Sequence, residues 1–186
     1  GQGIVLSLYW TERSQSLNLT FYEPYLLDTR WSLRTSGYLQ LREYIDFTRR
    51  DMGGSLSLGH LLPRSDFSRG IVTYKAEDTE LSDLPETESI LWRIPLSLTT
   101  LSLTLGFDRN KTNNLIDPTE GSDITASVEF AGRWLGGDND FTKYYLNARY
   151  YQPVWKGSYL ALRGRLGVLD HDQGEKLLLT ERYFLG

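Results

Sequence analysis

The dominant pattern along the chain is a strict alternation of apolar and polar positions. In the first run, Ile4, Leu6, Leu8 and Trp10 alternate with Val5 and with polar neighbours. Successive side chains of a strand point to opposite faces, so each such run predicts a two-faced strand. Nine strands are predicted, over residues 4–10, 16–22, 31–42, 55–59, 67–74, 101–107, 123–130, 144–151 and 160–168. No stretch of useful length shows a helical period.

The connections between the runs carry turn-forming residues, and two of them are long. These predicted loops cover residues 75–89 and 108–121. The alternation breaks at Thr99 and Thr100, which predicts a bulge or a late strand start there. Pro95 favours the same interpretation, because proline cannot donate to a strand ladder. The chain is therefore predicted to be one antiparallel meander, with no linker and no second domain.

The polar face of these strands indicates which side meets water. It holds Ser, Asn, Thr, Gly, Tyr, Gln and Arg with almost no Lys, which is typical of the lumen of a membrane barrel. The opposite face is rich in Leu, with Trp and Tyr near strand ends. A transmembrane β-barrel is favoured, and a soluble β-sandwich or lipocalin-like barrel is the alternative. Closed bacterial barrels normally have an even strand number, so nine strands predict a segment of a larger barrel.

Composition excludes several kinds of chemistry. The 186 residues include no cysteine, which excludes a disulfide framework, a thiolate metal site and a Cys nucleophile. Only two histidines, His60 and His171, are present, and they are far apart in sequence. The formal charge of −4 does not favour a nucleic-acid partner. We therefore predict no catalytic residues, no cofactor and no metal site.

Three segments resemble one known family. Residues 14–28 (SQSLNLTFYEPYLLD) resemble an early barrel strand, with its acidic-Pro-Tyr element, of the BamA-type outer-membrane assembly factors. Residues 108–122 (DRNKTNNLIDPTEGS) resemble the family's Asp-x-Arg to Pro-Thr-x-Gly periplasmic turn. Residues 180–186 (TERYFLG) are similar to the opening of the long extracellular loop that follows the eleventh strand. The order and spacing of the three segments match over essentially the whole chain.

The resemblance implies an architecture and a function. Residues 1–186 would form about the third to the eleventh strand of a sixteen-stranded outer-membrane barrel, plus the start of the long loop, without the periplasmic repeat domains that precede the barrel in the family. The function implied is the folding and insertion of β-barrel proteins into the bacterial outer membrane, with no bond chemistry. The implied partners are client barrel proteins, accessory assembly lipoproteins and outer-membrane lipid. The alternatives are a two-partner secretion or translocation-and-assembly transporter, or a barrel-embedded enzyme using His171.

The resemblance also points to residues inside the barrel. Arg163 and Arg165 share the polar face of the last strand, and we expect them to face the loop that folds back into the lumen. Arginine suits this role because its guanidinium group donates several directional hydrogen bonds. Glu181, in the loop-opening segment, is expected to help anchor that loop. Glu129 and Arg149 share the polar face on neighbouring strands and are expected to form a cross-strand pair.

Two further groups of residues follow from the same register. Asp108, Arg109, Pro118 and Gly121 match the periplasmic turn, although Asn110 stands where the family pattern has Arg. Aromatic side chains are expected to form two belts at the membrane interfaces. Trp10 and Trp134 fall at the outer interface, and Tyr25, Trp31, Phe107 and Trp155 fall at the periplasmic one.

Overall fold

Nine strands form one antiparallel sheet in the computed structural model, which describes residues 1–45, 47–63, 65, 67–83 and 97–171. Each strand pairs with its neighbours in chain order, so the predicted meander is confirmed. The strands are β1 (Gly3–Trp10), β2 (Ser14–Glu23), β3 (Trp31–Glu43), β4 (Thr48–Leu61), β5 (Ser68–Ser82), β6 (Ser97–Thr112), β7 (Gly121–Ala131), β8 (Phe141–Trp155) and β9 (Ser158–His171). Short 3-10 turns occupy Leu26–Asp28 and Arg133–Leu135.

Several strands are longer than the alternation predicts. β5 continues to Ser82 and β6 continues to Thr112, so residues 75–82 and 108–112, which were expected to belong to loops, are strand residues. The extension of β5 contains acidic residues that are typical of loops, but two of these acids form ion pairs, one within β5 and one with β4. Lys75 Nζ lies 3.2 Å from Glu77 Oε1, and Arg50 Nη1 lies 3.6 Å from Glu80 Oε2. These pairs let charged residues occupy a regular strand.

Neither of the two alternatives expected at Thr99 and Thr100, a bulge or a late strand start, is found there. β6 begins at Ser97 and pairs with β5 without a register shift as far as Arg109. The parity of the apolar residues changes because Leu98 points to the other face of the sheet, where it is buried. Pro95, the other residue used for that prediction, lies outside the described residues.

The burial of the two faces excludes a sandwich. Leucines on one face of the sheet remain open to the surroundings, for example Leu6, Leu105 and Leu166, with exposed fractions of 59%, 49% and 58%. Buried residues on the opposite face are largely small and polar. We call the leucine-bearing side the outer face and the polar side the inner face. In the described part of the chain, Leu98, Ala131 and Phe141 are the buried apolar residues, which is far too few for a core between two sheets.

Candidate functional site

The outer face presents a band of apolar side chains across the sheet. In the middle strands it consists of every second residue, such as Leu101, Leu103, Leu105 and Phe107 of β6. Four outward positions in one strand extend over about 20 Å, which is close to the ~25 Å height of the apolar band of outer-membrane barrels. The band is suited to contact with hydrocarbon.

One row of the outer face joins two of the predicted interface aromatics. Trp31 lies opposite His60, His60 opposite Gly70, and Gly70 opposite Phe107, so the row runs from β3 to β6. The rings of Trp31 and His60 are 4.5 Å apart between centroids. His60 therefore belongs to the outer face, as its parity predicts, and it lies in an aromatic row.

The other four predicted interface aromatics lie at strand ends or in turns. Trp10 ends β1, and Trp134 lies in the turn between β7 and β8, at the same end of the sheet. Tyr25 precedes the turn between β2 and β3, and Trp155 ends β8, at the opposite end. All four are strongly exposed. This placement agrees with the two expected belts, while their role at the membrane boundary stays a prediction.

A tyrosine crosses a whole strand on the inner face. Tyr38 of β3 is opposite Gly53 of β4, which is opposite Glu77 of β5. The Tyr38 hydroxyl donates a hydrogen bond to Glu77 Oε2. A Cβ atom at Gly53 would lie 2.9 Å from Tyr38 Oη and 2.7 Å from Ala76 O, so only glycine leaves the path open. The alternation alone does not indicate this link.

A second inner-face contact set adjoins the first. Arg49 Nε lies 2.8 Å from both carboxylate oxygens of Asp51, and Thr79 Oγ1 donates to Asp51 Oδ1 at 2.8 Å. Asp51 and Thr79 are buried. Because a buried carboxylate is stable only when it is hydrogen-bonded and paired, these contacts join β4 and β5 firmly.

Three arginines meet on the inner face where β8 pairs with β9. Arg149 is directly opposite Arg163, and Asn147 is opposite Arg165. The buried Asn147 accepts hydrogen bonds through Oδ1 from Arg163 Nε at 3.2 Å and from Arg165 Nε at 3.3 Å. We call Arg149, Arg163 and Arg165 the arginine cluster. The structure thus brings Arg163 and Arg165 together with Arg149, which the sequence analysis had placed in a different pair.

The expected pair between Glu129 and Arg149 does not form. Both residues lie on the inner face, but Glu129 is opposite Lys143 and Arg149 is opposite Asp123. Lys143 and Arg149 are six positions apart in β8, which is about 20 Å along a strand. Arg149 Nη1 instead lies 3.8 Å from Asp123 Oδ2. Parity identified the face of each residue but not the register between the strands. Glu181 lies outside the described residues.

The predicted turn motif is only partly a turn. Asp108 and Arg109 lie within β6 and face opposite sides of the sheet, whereas Pro118 lies in the connection and Gly121 begins β7. Gly121 has φ +107°, and a Cβ there would lie 2.0 Å from Lys111 O, so glycine is required. The motif therefore combines a strand end with a turn.

Asn113 holds this turn together. Its Oδ1 accepts from the backbone N–H groups of Thr119 at 3.0 Å and Glu120 at 3.2 Å, and its Nδ2 donates to Thr119 Oγ1 at 2.8 Å. The preference of Asn for turns was the available signal for this residue.

Helices and metal ligands add no further candidate. Within the described ranges, no helix is long and apolar enough to span a bilayer. The same residues contain no group of three His, Cys, Asp or Glu side chains that could hold a metal ion. His171 ends β9 and is the last described residue.

Comparison with known proteins agrees with this geometry. The model of the Omp85 superfamily domain matches residues 1–186, so the chain belongs to the Omp85 superfamily. Its location is the bacterial outer membrane. The outer membrane protein assembly factor BamA of Nitratidesulfovibrio vulgaris is 25% identical over 190 residues, which cover 100% of this chain. The crystal structure of BamA from Haemophilus ducreyi lacking POTRA domains 1-3 has a TM-score of 0.83 at 19% identity, again over 100% of this chain.

These relatives are much longer than the chain. It spans 24% of the N. vulgaris protein and 38% of the H. ducreyi chain of known structure. The nine-stranded sheet is therefore part of a transmembrane β-barrel, as the alternation and the resemblance predicted. Its outer face is the lipid-facing surface and its inner face lines the lumen.

Proposed function

We propose that this chain is the central wall of a barrel that folds and inserts other β-barrel proteins into the outer membrane. The observation that carries the proposal is the similarity of the whole chain, at 25% identity, to part of a protein named as an assembly factor. The protein acts without bond chemistry in this proposal. Its partners are client barrel proteins, accessory assembly lipoproteins and outer-membrane lipid.

The physical basis of such an activity is the unpaired edge of a client strand. Each unpaired backbone group exposed to hydrocarbon costs several kcal/mol, so a strand entering lipid needs a partner edge. A barrel whose seam opens offers that edge, and local thinning of the bilayer lowers the barrier further. The rest of the barrel must keep its shape while the seam opens.

The nine strands support the role of a stable wall. Every strand from β2 to β8 is paired on both sides, and inner-face links such as Tyr38 to Glu77 and Thr79 to Asp51 join neighbouring strands or cross one. We therefore propose that the mobile seam lies outside this chain. Arg163 and Arg165, and Glu181 beyond the described residues, remain proposed contacts of the loop that folds into the lumen.

Reconstitution tests the assembly activity. The full-length protein is placed in liposomes, and the folding of a urea-denatured client barrel is followed by its shift on unheated gels. We expect faster folding than in liposomes that hold an equal mass of an unrelated barrel. Equal rates would refute the proposal, and transport of a soluble partner without client folding would identify a secretion or translocation relative instead.

Hydrogen exchange on the full-length protein tests the wall. We expect slow exchange in β3 to β8 and faster exchange in strands outside this chain. Rapid exchange across β3 to β8, with protection at the seam, is the result that would overturn this division.

A further inference from the structure

Two cations follow the apolar band at one end of β6. Arg109 and Lys111 have outer-face positions and are exposed. Arg109 lies two positions beyond the last outward residue of the band in this strand, which is about 7 Å. The ladder neighbours of the two cations are uncharged, with Ser68 and Ile124 beside Arg109 and Ser122 beside Lys111. We call Arg109 and Lys111 the cationic rim.

The opposite end of the outer face has a different charge pattern. The outward charged residues there in β4 and β5 are Arg50, Asp78 and Glu80, so acids predominate. Near the cationic rim, by contrast, Asp108 and Asp123 have inner-face positions and face the lumen. A lipid phosphate in contact with the outer face is therefore attracted to the end that carries the cationic rim.

An apolar cleft begins beside the cationic rim. It has a volume of about 460 Å³ and extends over β6, β7 and β8, each of which is paired on both sides, as far as β9. Ala126 lies between Phe107 and Leu146 in the register, so its methyl group leaves a depression between two large side chains. Ala126 is two positions from Ile124, the ladder neighbour of Arg109, so the cleft starts about 7 Å from the rim.

The rim and the cleft match the two parts of one lipid molecule. Arg and Lys near the end of a membrane strand extend their stems over apolar surface and hold their charges at the level of the head groups. A phosphate at that level accepts hydrogen bonds from the Arg fork and is attracted by the Lys ammonium group. Because the cleft is continuous with the lipid-facing surface, an acyl chain of the same lipid can enter it.

The position of the rim along the barrel indicates the kind of lipid. Outer-membrane barrels have short periplasmic turns and longer extracellular loops. The longest stretch between consecutive described strands, residues 83–96, connects β5 to β6 at the end opposite the rim. The rim therefore lies at the periplasmic leaflet, where lipid phosphates belong to phospholipids.

We propose that the cationic rim and the adjoining cleft bind one phospholipid of the outer membrane. Its phosphate contacts Arg109 and Lys111, and one of its acyl chains lies along Ala126. Charge and shape together distinguish this site from the rest of the lipid-facing surface, which lipids cover without a fixed place. The assignment does not depend on the assembly activity.

Native mass spectrometry of the purified full-length protein tests the site. The protein is stripped of lipid in micelles, phosphatidylglycerol is added in steps, and the lipids retained after the detergent is removed are counted. We expect a tight binding step for one phosphatidylglycerol, followed by weaker steps. Diacylglycerol with the same acyl chains lacks the phosphate and is expected to show no tight step.

Matched variants connect the tight step to both parts of the site. R109Q combined with K111Q should weaken it about tenfold, as the loss of two cations beside a lipid phosphate predicts. R50Q removes an outward cation at the opposite end and should leave it unchanged. A126L fills the cleft and should also weaken the step, whereas A76L adds the same bulk to the outer face of β5 and should not. Unheated gels verify folding, and A126V replaces A126L if the larger side chain prevents it.

The outcomes separate a phospholipid from the other sources of phosphate. Weakening of the tight step by both R109Q with K111Q and the Ala126 variant, but by neither control, supports the proposal. A tight step that is absent, or that survives either change to the site, would overturn it. So would a step that R50Q or A76L weakens equally, one that lipopolysaccharide fills in preference to phosphatidylglycerol, or one that inorganic phosphate abolishes.

Discussion

At the scale of single residues, the wall depends on a glycine that leaves room for an aromatic ring. Tyr38 reaches Glu77 only because Gly53 has no side chain. Replacing Gly53 with alanine should displace the ring and lower the free energy of unfolding by about 1–3 kcal/mol, the usual cost of overpacking. Urea unfolding of the full-length protein in micelles measures the change.

Gly37 provides a matched control for that substitution. It lies in the neighbouring strand, and the atom nearest to its missing Cβ is 4.0 Å away. Gly37→Ala should therefore be neutral or slightly stabilising, because it removes backbone freedom without a clash. Equal losses of unfolding free energy from both substitutions would show that the passage of the Tyr38 ring over Gly53 does not contribute to stability.

The turn after β6 offers a second test on a single residue. Asn113→Ala removes the acceptor for the Thr119 and Glu120 amides, and we expect both amides to exchange about tenfold faster, as the loss of one net hydrogen bond predicts. Asn113→Asp keeps the acceptor and should preserve most of the protection. Unchanged exchange in Asn113→Ala would mean that Pro118 and Gly121 hold the turn by themselves.

At the scale of elements, the connection between β7 and β8 continues the pairing along β6 after β7 has ended. β7 ends opposite Ser102, and beyond that point residues 137–139 fold back along β6. Asp138 N donates to Thr99 O at 2.7 Å, Thr99 N donates to Asp138 Oδ2 at 2.8 Å, and Asn139 Nδ2 donates to Thr100 Oγ1 at 2.5 Å. The connection thus satisfies backbone groups of an otherwise open edge.

This contact can be tested at Asp138. Asp138→Ala should accelerate exchange of the Thr99 amide, because that amide loses its acceptor at the end of the strand. Asp138→Asn retains an acceptor and should behave more like the original protein. Hydrogen exchange read by mass spectrometry of the peptide around Thr99 distinguishes the two variants. If Asp138→Ala leaves this exchange unchanged, the hydrogen bond from Asp138 N to Thr99 O is sufficient to hold the connection against β6.

The elements also show what the sequence could and could not predict. Alternation identified all nine strands and the face of Arg163 and Arg165, because a period of two is a property of each strand by itself. It could not identify partners, since register depends on two strands at once, and Glu129 was therefore paired with the wrong cation. The strand beyond Lys75 was missed because Glu77 and Glu80 are acids whose partners lie nearby in space.

At the scale of the whole molecule, the two faces must meet different solvents. The chain has 24% charged residues, and within the described ranges most of these lie on the inner face, near strand ends or in turns, away from the apolar band. No single hydrophobic segment carries this information, because the apolar surface is assembled from every second residue of nine strands.

The outer band makes the sharpest prediction at this scale. Leu105 lies in the middle of the band, whereas Leu115 is 82% exposed in the turn after β6. Leu105→Arg should cost about 2–4 kcal/mol at the bilayer midplane, so we expect much less full-length protein to reach the outer membrane in a folded form. Leu115→Arg places the same charge outside the band and should assemble normally. Gel shifts of unheated membrane fractions measure both, and normal assembly of Leu105→Arg would mean that this leucine does not face lipid.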